Sequence, residues 1–309
     1  MTTQSMRRAA PMPPVGWRAQ AERGASWAMR MTAALARRAG RGPSRAFLLP
    51  GLAYFHLTAG AARRASHAFY RRLLGRVPKG AFFRQLRAFA DCTLDRMYFL
   101  RGELDPFEIS HLGHEHLRRL HDEGRGALLV GAHLGSFEAM RGMAGRRSLQ
   151  IWSAVDVTVA RRIEATLAAV GGPPPNIVPL RAGDPSSVLD IADRIERGHL
   201  VAILADRVDV HEPAVRVPFL GALARFPAGP WRIAAALGCP VYLTFGLYTP
   251  PNRYRLFCEP FADRIVVGSR RRPGPTVEEH AARFARRLEH YVRLAPYNWF
   301  NFFDPWSEP

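Results

Sequence analysis

From Gly124 to the C-terminus, short apolar runs alternate with helical patterns, and this alternation constrains the fold more than any other feature. The runs that predict buried strands are 127–133, 149–155, 176–180, 200–206, 240–248 and 254–261. Helical patterns begin at Ser136 and recur at 159–172, 185–198, 231–238 and 276–296. Strands separated by helical crossovers pair in parallel and carry helices on both faces. The sequence therefore predicts an α/β fold with a mixed, largely parallel central sheet flanked by helices.

The segment before this region is predicted to be an N-terminal helical membrane-docking segment. Residues 46–62 carry no formal charge, but they are too few for a membrane span, which needs about 20 apolar residues. We expect a shallow docked helix or hairpin there, with a buried core helix as the alternative. Residues 63–123 have the apolar spacing of helices. Residues 1–45 are basic with interleaved tryptophans, which is typical of an interfacial segment or a loose tail.

These patterns divide the chain into three regions. Residues 1–45 form the tail or interfacial segment, 46–123 the helical membrane-docking region, and 124–309 the α/β catalytic region.

The charge balance predicts an anionic partner. Lys and Arg total 44 against 26 Asp and Glu, which gives a net charge of +18. Nucleic acid, anionic lipid and an acidic carrier protein all fit such an excess. No nucleic-acid-binding motif is recognisable, and no basic stripe with aromatics lies beyond the N-terminal segment. A basic membrane- or nucleic-acid-binding protein remains the alternative from another class, and we expect no nucleic-acid partner.

The metal-ligating residue types do not form a metal motif. Cys92, Cys239 and Cys258 are far apart, which predicts neither a disulfide framework nor a zinc site. The histidines 111, 114, 116 and 121 lack the i,i+4 pair of a helical metal site, and we expect them to be solvated helix residues. A reducing, cytosolic setting fits this cysteine usage.

The residues that carry chemistry lie in the segment 131–138, Gly-Ala-His-Leu-Gly-Ser-Phe-Glu. His133 follows a buried strand, Gly135 permits a tight turn, and Ser136 is a plausible N-cap. The turn lets the Glu138 carboxylate fold back and accept a hydrogen bond from Nδ1–H of His133, which leaves Nε2 as a general base. Amides at the helix start could stabilise an oxyanion. The alternative is that His133 only ends the strand. There is neither an HExxH motif nor a G-x-S-x-G nucleophile elbow.

On these residues the chain resembles the lysophospholipid acyltransferase superfamily, whose hallmark is H-x4-D/E. The resemblance covers about residues 45–309 and is closest to the lipid A lauroyl/myristoyl acyltransferase branch. It includes GALLVGAHLGSFE at 126–138 and the segments 203–207, 217–221 and 226–241. The aromatic terminus PYNWFNFFDPW, at 296–306, looks like that of acyltransferases predicted in aryl-polyene and xanthomonadin-type pigment clusters.

The resemblance implies roles for particular residues. His133 would be the general base and Glu138 its partner. The implied substrate-binding residues are Gly135, Ser136, Asp206, Arg207, Arg225 and Gly229. Asp206 could instead be an ordinary strand-end residue, and Arg207 a solvated one. Ala228 stands where glycerol-phosphate acyltransferases carry an acidic residue, which disfavours glycerol 3-phosphate as the acceptor. The C-terminal aromatics would wall an acyl groove, touch lipid, or simply pack.

The implied reaction moves a fatty or polyene acyl group from a thioester to a hydroxyl or amine of a lipid or glycolipid. The donor would be acyl carrier protein or coenzyme A, with no metal or other cofactor. The alternative within this class is a lipid A or lysophospholipid acyltransferase. The expected location is the cytoplasmic face of the bacterial inner membrane, held peripherally or monotopically on an anionic surface.

Overall fold

A computed structural model describes residues 26–145, 149–161, 164, 176–181, 184–209, 212–268 and 273–307. The N-terminal half of the described chain contains α1 Ser26–Ala39, α2 Arg41–Phe47, α3 Leu49–Thr58, α4 Gly60–Leu74, α5 Ala81–Leu100, β1 Glu108–Leu112, α6 His114–Asp122, β2 Ala127–Gly131, α7 Phe137–Gly145 and β3 Ile151–Asp156. The C-terminal half contains β4 Ile177–Leu180, α8 Ser186–Glu196, β5 Leu200–Leu204, β6 Ala214–Phe219, β7 Ala222–Pro227, α9 Gly229–Leu237, β8 Val241–Thr249, β9 Arg253–Ala262 and α10 Val277–Leu294.

A seven-stranded sheet forms the centre of the molecule, in the order β1-β9-β8-β2-β5-β3-β4. The β8–β9 pair is antiparallel and the other neighbours are parallel. This confirms the predicted fold class, and each of the six predicted apolar runs overlaps a strand of the sheet. Gly131 of β2 is in register with Leu204 of β5. The residues that follow these two strands therefore meet at one edge of the sheet, where ligands bind in open α/β folds.

Both faces of β2 are buried, which explains its continuous apolar sequence. On one face Leu128 and Val130 join the main core, which includes Trp231 of α9 and Phe284 of α10. On the other face Leu129 packs with residues of α6 and α7, among them Leu120 and Ala144. Strands buried on both faces lack polar alternation, so β2 was readable from its sequence.

Tertiary pairing produces three strands that the sequence did not predict. β1 lies within the region predicted as helices and pairs in parallel with β9 at the sheet edge. His111 is therefore a strand residue rather than the predicted helical one. β6 and β7 form a separate antiparallel hairpin. Short, half-exposed strands depend on their partners more than on local propensity. Most of the helix predicted at 159–172 lies outside the described residues.

The helices before the sheet contain the segment predicted to dock at a membrane. Residues 46–62 span the end of α2, all of α3 and the start of α4. None of the described helices combines the length and apolar character needed to cross a bilayer. Residues 1–25, including Trp17, lie outside the described part of the chain.

Two buried ion pairs join α2 to α5. Arg41 Nε lies 2.5 Å from Asp95 Oδ1, and Arg45 Nη2 lies 2.6 Å from Asp91 Oδ2. The hydroxyl of Tyr254 also donates to Asp95, over 2.7 Å. Removing one partner of such a pair leaves a costly unpaired charge. The predicted boundary at residue 45 therefore lies within α2, which these ion pairs join to α5.

Candidate active site

His133 lies two residues beyond β2, at the carboxyl edge of the sheet, and the backbone fixes its position. Its N–H donates to Asp206 Oδ2 over 3.0 Å. Its carbonyl accepts from the Phe300 N–H over 2.8 Å. The side chain keeps 27% of its surface exposed, which leaves part of the ring accessible. The ring is therefore held in place and still open to a substrate.

Asp206 orients the His133 ring. Nδ1 of His133 lies 2.8 Å from Asp206 Oδ1. The other carboxylate oxygen accepts the indole N–H of Trp299 over 2.9 Å. Because an ionised carboxylate can only accept, the proton resides on Nδ1, and Nε2 carries the lone pair. This is the arrangement that a general base needs.

The charges around this pair favour a neutral imidazole beside an ionised carboxylate. Burial lowers the pKa of His133 below its usual value, and the positive charge of Arg207 lowers it further. Asp206 and Glu138 act in the opposite direction without cancelling that effect. Burial by itself would raise the pKa of Asp206, but His133, Arg207 and the Trp299 N–H together bring it below the usual value. A neutral ring can accept a proton, which an imidazolium cannot.

Glu138 does not hold the His133 ring, so the predicted hydrogen bond between them is wrong. Its carboxylate accepts from Arg96 of α5, with Nε at 2.7 Å and Nη2 in a second short contact to the same oxygen. The registered ends of β2 and β5 bring Asp206 opposite His133, whereas Glu138 on the first turn of α7 faces α5. The sequence spacing gives only the separation along the chain. It does not show that Asp206, at the end of the neighbouring strand β5, lies beside the ring.

Gly135 and Ser136 build the turn that carries His133. Gly135 has φ +70°, and a Cβ there would lie 1.8 Å from the Gly246 carbonyl oxygen, so only glycine fits. Its N–H donates to Asn298 O, and that of Ser136 donates to Gly246 O. Ser136 Oγ accepts from Ala139 N, which confirms the predicted N-cap. Both predicted substrate-binding residues thus have their amides engaged within the protein.

The other three predicted substrate-binding residues differ in position. Arg207 is beside the pair, donates from Nη2 to Phe300 O over 2.6 Å, and has its pKa lowered by burial to about 10. Arg225 is in β7, where its amide donates to Pro305 O. Gly229 opens α9, near Glu212. Within the described residues, no hydrogen bond joins Arg225 or Gly229 to His133 or Asp206. The structure therefore places Arg207 beside the His133–Asp206 pair.

The C-terminal aromatic segment packs between the site and α5. Trp299 is fully buried, and its carbonyl accepts from Gln85 of α5 over 2.6 Å. Phe300 packs edge-on against Phe89, and Phe302 also contacts that ring. The sequence left three roles open for this segment: to wall an acyl groove, to touch lipid, or to pack. For Trp299 the structure shows packing. Sequence reasoning missed the roles of Trp299, Gln85 and Arg96 in the site, although the aromatic terminus did signal the first.

The described residues include no group of three or more His, Cys, Asp or Glu side chains that could hold a metal ion. His111 and His114 are ring neighbours, with centroids 4.2 Å apart. His114 to Asp122 forms α6, so the predicted helical setting holds for His114, His116 and His121.

Comparison with known proteins supports the chemistry that this geometry indicates. Residues 176–307 match the family model described as bacterial lipid A biosynthesis acyltransferase. The match contains Asp206, Arg207 and Trp299, and it begins after His133. No curated protein matches the chain. The matched family supports an acyltransferase that acts on a lipid-type acceptor.

The environment of His133 predicts its titration. We expect NMR titration of the imidazole to give a pKa below the usual 6.5, so that the ring stays neutral to a lower pH. Arg207→Gln removes a positive charge and should raise the pKa, whereas Asp206→Asn removes a negative charge and should lower it. A wild-type value at or above 6.5, or shifts of the opposite sign, would contradict the proposed electrostatics.

Proposed function

We propose that the protein transfers a fatty acyl group from an acyl thioester to a hydroxyl or amine of a lipid or glycolipid. His133 is the general base in this proposal, and Asp206 is the residue that positions it. The observation that carries the proposal is the partly exposed imidazole whose Nδ1 is hydrogen-bonded to a buried carboxylate. The family match over residues 176–307 favours acyl transfer over other uses of such a pair.

The proposed reaction is a direct acyl transfer. Nε2 of His133 takes the proton from the acceptor as its oxygen or nitrogen attacks the thioester carbonyl. The tetrahedral intermediate collapses with cleavage of the C–S bond, and the imidazolium returns the proton to the departing thiolate. Asp206 stabilises the imidazolium between these steps. The positive charge of Arg207 lies close enough to His133 to lower its pKa and would also stabilise the oxyanion.

A partly open apolar pocket is the proposed place for the acyl tail. It lies between α6, α7 and the sheet face that carries Leu129, and Phe137, four residues after His133, lines it. The other lining residues are His111, Leu112, His114, Leu117, Arg118, Met140, Met143, Ala144, Leu149, Ile151, Thr244, Leu256, Phe257 and Cys258. In this proposal the thioester lies at His133 and the chain extends beneath α7.

The acyl donor in the proposal is acyl carrier protein or coenzyme A, because both present the acyl group as a thioester. The arginine excess suits either the acidic carrier or an anionic membrane. The family match favours a lipid A-type acceptor over a lysophospholipid. The reaction requires no metal or redox cofactor.

The proposed location is the cytoplasmic face of the inner membrane, with α3 as the contact. Tyr54 and Leu57 on α3 are 54% and 72% exposed. Between them, His56 packs against Phe82, and Phe82 packs against Phe302 of the C-terminal segment. A lipid surface at α3 would therefore lie close to the segment that supports His133, so a lipid acceptor could reach it without leaving the membrane.

A transfer assay tests the catalytic pair. Membranes from overproducing cells are incubated with acyl carrier protein that carries a labelled acyl group, and label is measured in the lipid fraction. His133→Ala and Asp206→Asn should each lower the transfer rate about a hundredfold or more, because general base catalysis contributes roughly 10²–10⁴-fold to the rate. The matched control Asp190→Asn removes an exposed carboxylate of α8 and should retain the full rate. Equal labelling by all four proteins would end the proposal.

A chain-length assay tests the pocket. Met143→Trp fills part of it, so the preferred acyl chain should become shorter, with discrimination between long and short donors changing at least about tenfold. Leu189→Trp places the same ring on an exposed position of α8 and should leave the preference unchanged. An unaltered preference in a folded Met143→Trp protein would show that the chain binds elsewhere.

A vesicle flotation assay tests the membrane contact. Tyr54→Glu with Leu57→Glu should weaken partitioning onto phosphatidylglycerol vesicles by about tenfold or more, because apolar area is lost and negative charge is gained. Leu189→Glu with Leu223→Glu, both exposed on other elements, is the charge-matched control. If the two double variants bind alike, α3 is not the contact.

A further inference from the structure

Two arginines flank the Glu138 carboxylate beside the candidate catalytic pair. Arg96 uses Nε and Nη2 on one oxygen of Glu138. Arg141, one helical turn further along α7, is partly enclosed, and Glu138 and Arg96 are the charged groups that act on it. Within the described part of the chain, no acceptor forms a hydrogen bond or ion pair with the Arg141 guanidinium. Glu138 is therefore the only described anion acting on it.

The charges of this cluster do not balance. Two guanidinium groups share one carboxylate, and the neighbouring Arg207 is already offset by Asp206. Enclosing a cation without a counterion is unfavourable. Burial accordingly lowers the pKa of Arg141. An anion that binds here would balance the excess positive charge, and this gain would strengthen its binding.

The donors that remain suit a tetrahedral oxyanion. A guanidinium has five N–H donors in a planar fork, and Arg96 spends two of them on Glu138. Arg141 has all of its donors available within the described contacts. Paired guanidinium groups recognise phosphate through several charge-assisted hydrogen bonds at once. In this arrangement Glu138 holds Arg96 in position.

We propose that Arg96 and Arg141 form a phosphate-binding subsite beside His133, with Glu138 as the residue that positions Arg96. The inference rests on the proposed function, because a thioester donor and a lipid acceptor can each supply the phosphate. The 4′-phosphopantetheine arm of carrier protein and coenzyme A carries a phosphate at the end opposite its thiol. Phosphorylated lipids carry another. Glu138 is on the first turn of α7, and this helix begins directly after the turn that carries His133, so the subsite lies beside that turn.

Equilibrium binding to two probe pairs tests the subsite without requiring catalysis. The donor pair is 4′-phosphopantetheine and pantetheine, and the acceptor pair is lysophosphatidic acid and monoacylglycerol, each measured by calorimetry. We expect wild-type protein to bind the phosphorylated member of one pair at least about tenfold more tightly, since each charged hydrogen bond contributes substantially. The pair that shows this preference identifies the source.

Variants assign the preference to particular residues. Arg141→Gln and Arg96→Gln should each abolish most of it, whereas Arg232→Gln, at an exposed position of α9, should leave it intact. Glu138→Gln should weaken it by releasing Arg96. If wild-type protein does not distinguish either pair, or if both arginine variants keep the preference, the subsite is refuted.

Failure of the subsite and failure of the proposed function give different results. His133→Ala should lose acyl transfer and retain the phosphate preference, because the ring is not part of the subsite. Transfer with no phosphate preference refutes the subsite alone. A phosphate preference without transfer refutes the enzymatic proposal and leaves an anion-binding site.

Discussion

The site depends on one buried carboxylate. Asp206 accepts the His133 N–H, the His133 Nδ1–H and the Trp299 indole N–H, so it joins the ends of two strands to the C-terminal segment. A buried carboxylate is tolerated when its oxygens are satisfied by such donors. The hydrogen bond to Nδ1 leaves Nε2 as the nitrogen of His133 that carries the lone pair. Position and tautomer of the imidazole therefore have a common cause, whereas burial and the charge of Arg207 keep the ring neutral.

Two pairs of opposite charges lie near the His133 ring. Asp206 lies with Arg207 beneath the ring, and Glu138 lies with Arg96 on the α5 side. Asp206 therefore positions the imidazole, whereas Glu138 holds Arg96. Because α5 also carries Asp91 and Asp95, which bind α2, the same helix links the site to the N-terminal helices. The candidate membrane contact and the candidate chemistry are thus parts of one packed unit.

Much of the fold could be predicted from sequence, since the central strands are buried on both faces and so have continuous apolar runs. The strands β1, β6 and β7 could not, because their residues alternate in exposure or lie at an edge, where the partner strand decides the conformation. The turn at Gly135 and the N-cap at Ser136 were readable because each rests on a local requirement. The roles of Trp299 and Gln85 were not, since both residues contact elements more than 90 positions away.

The sequence by itself determined that a histidine follows a buried parallel strand at the edge where such sheets bind ligands. It also determined that carboxylates and arginines lie close to that edge. Only the tertiary structure decided which carboxylate meets the ring. Strand register brought Asp206 to Nδ1 across the sheet, and the direction of α7 turned Glu138 towards α5. A spacing of five residues is a property of the chain, whereas a hydrogen bond depends on the distance and direction that the packed elements impose.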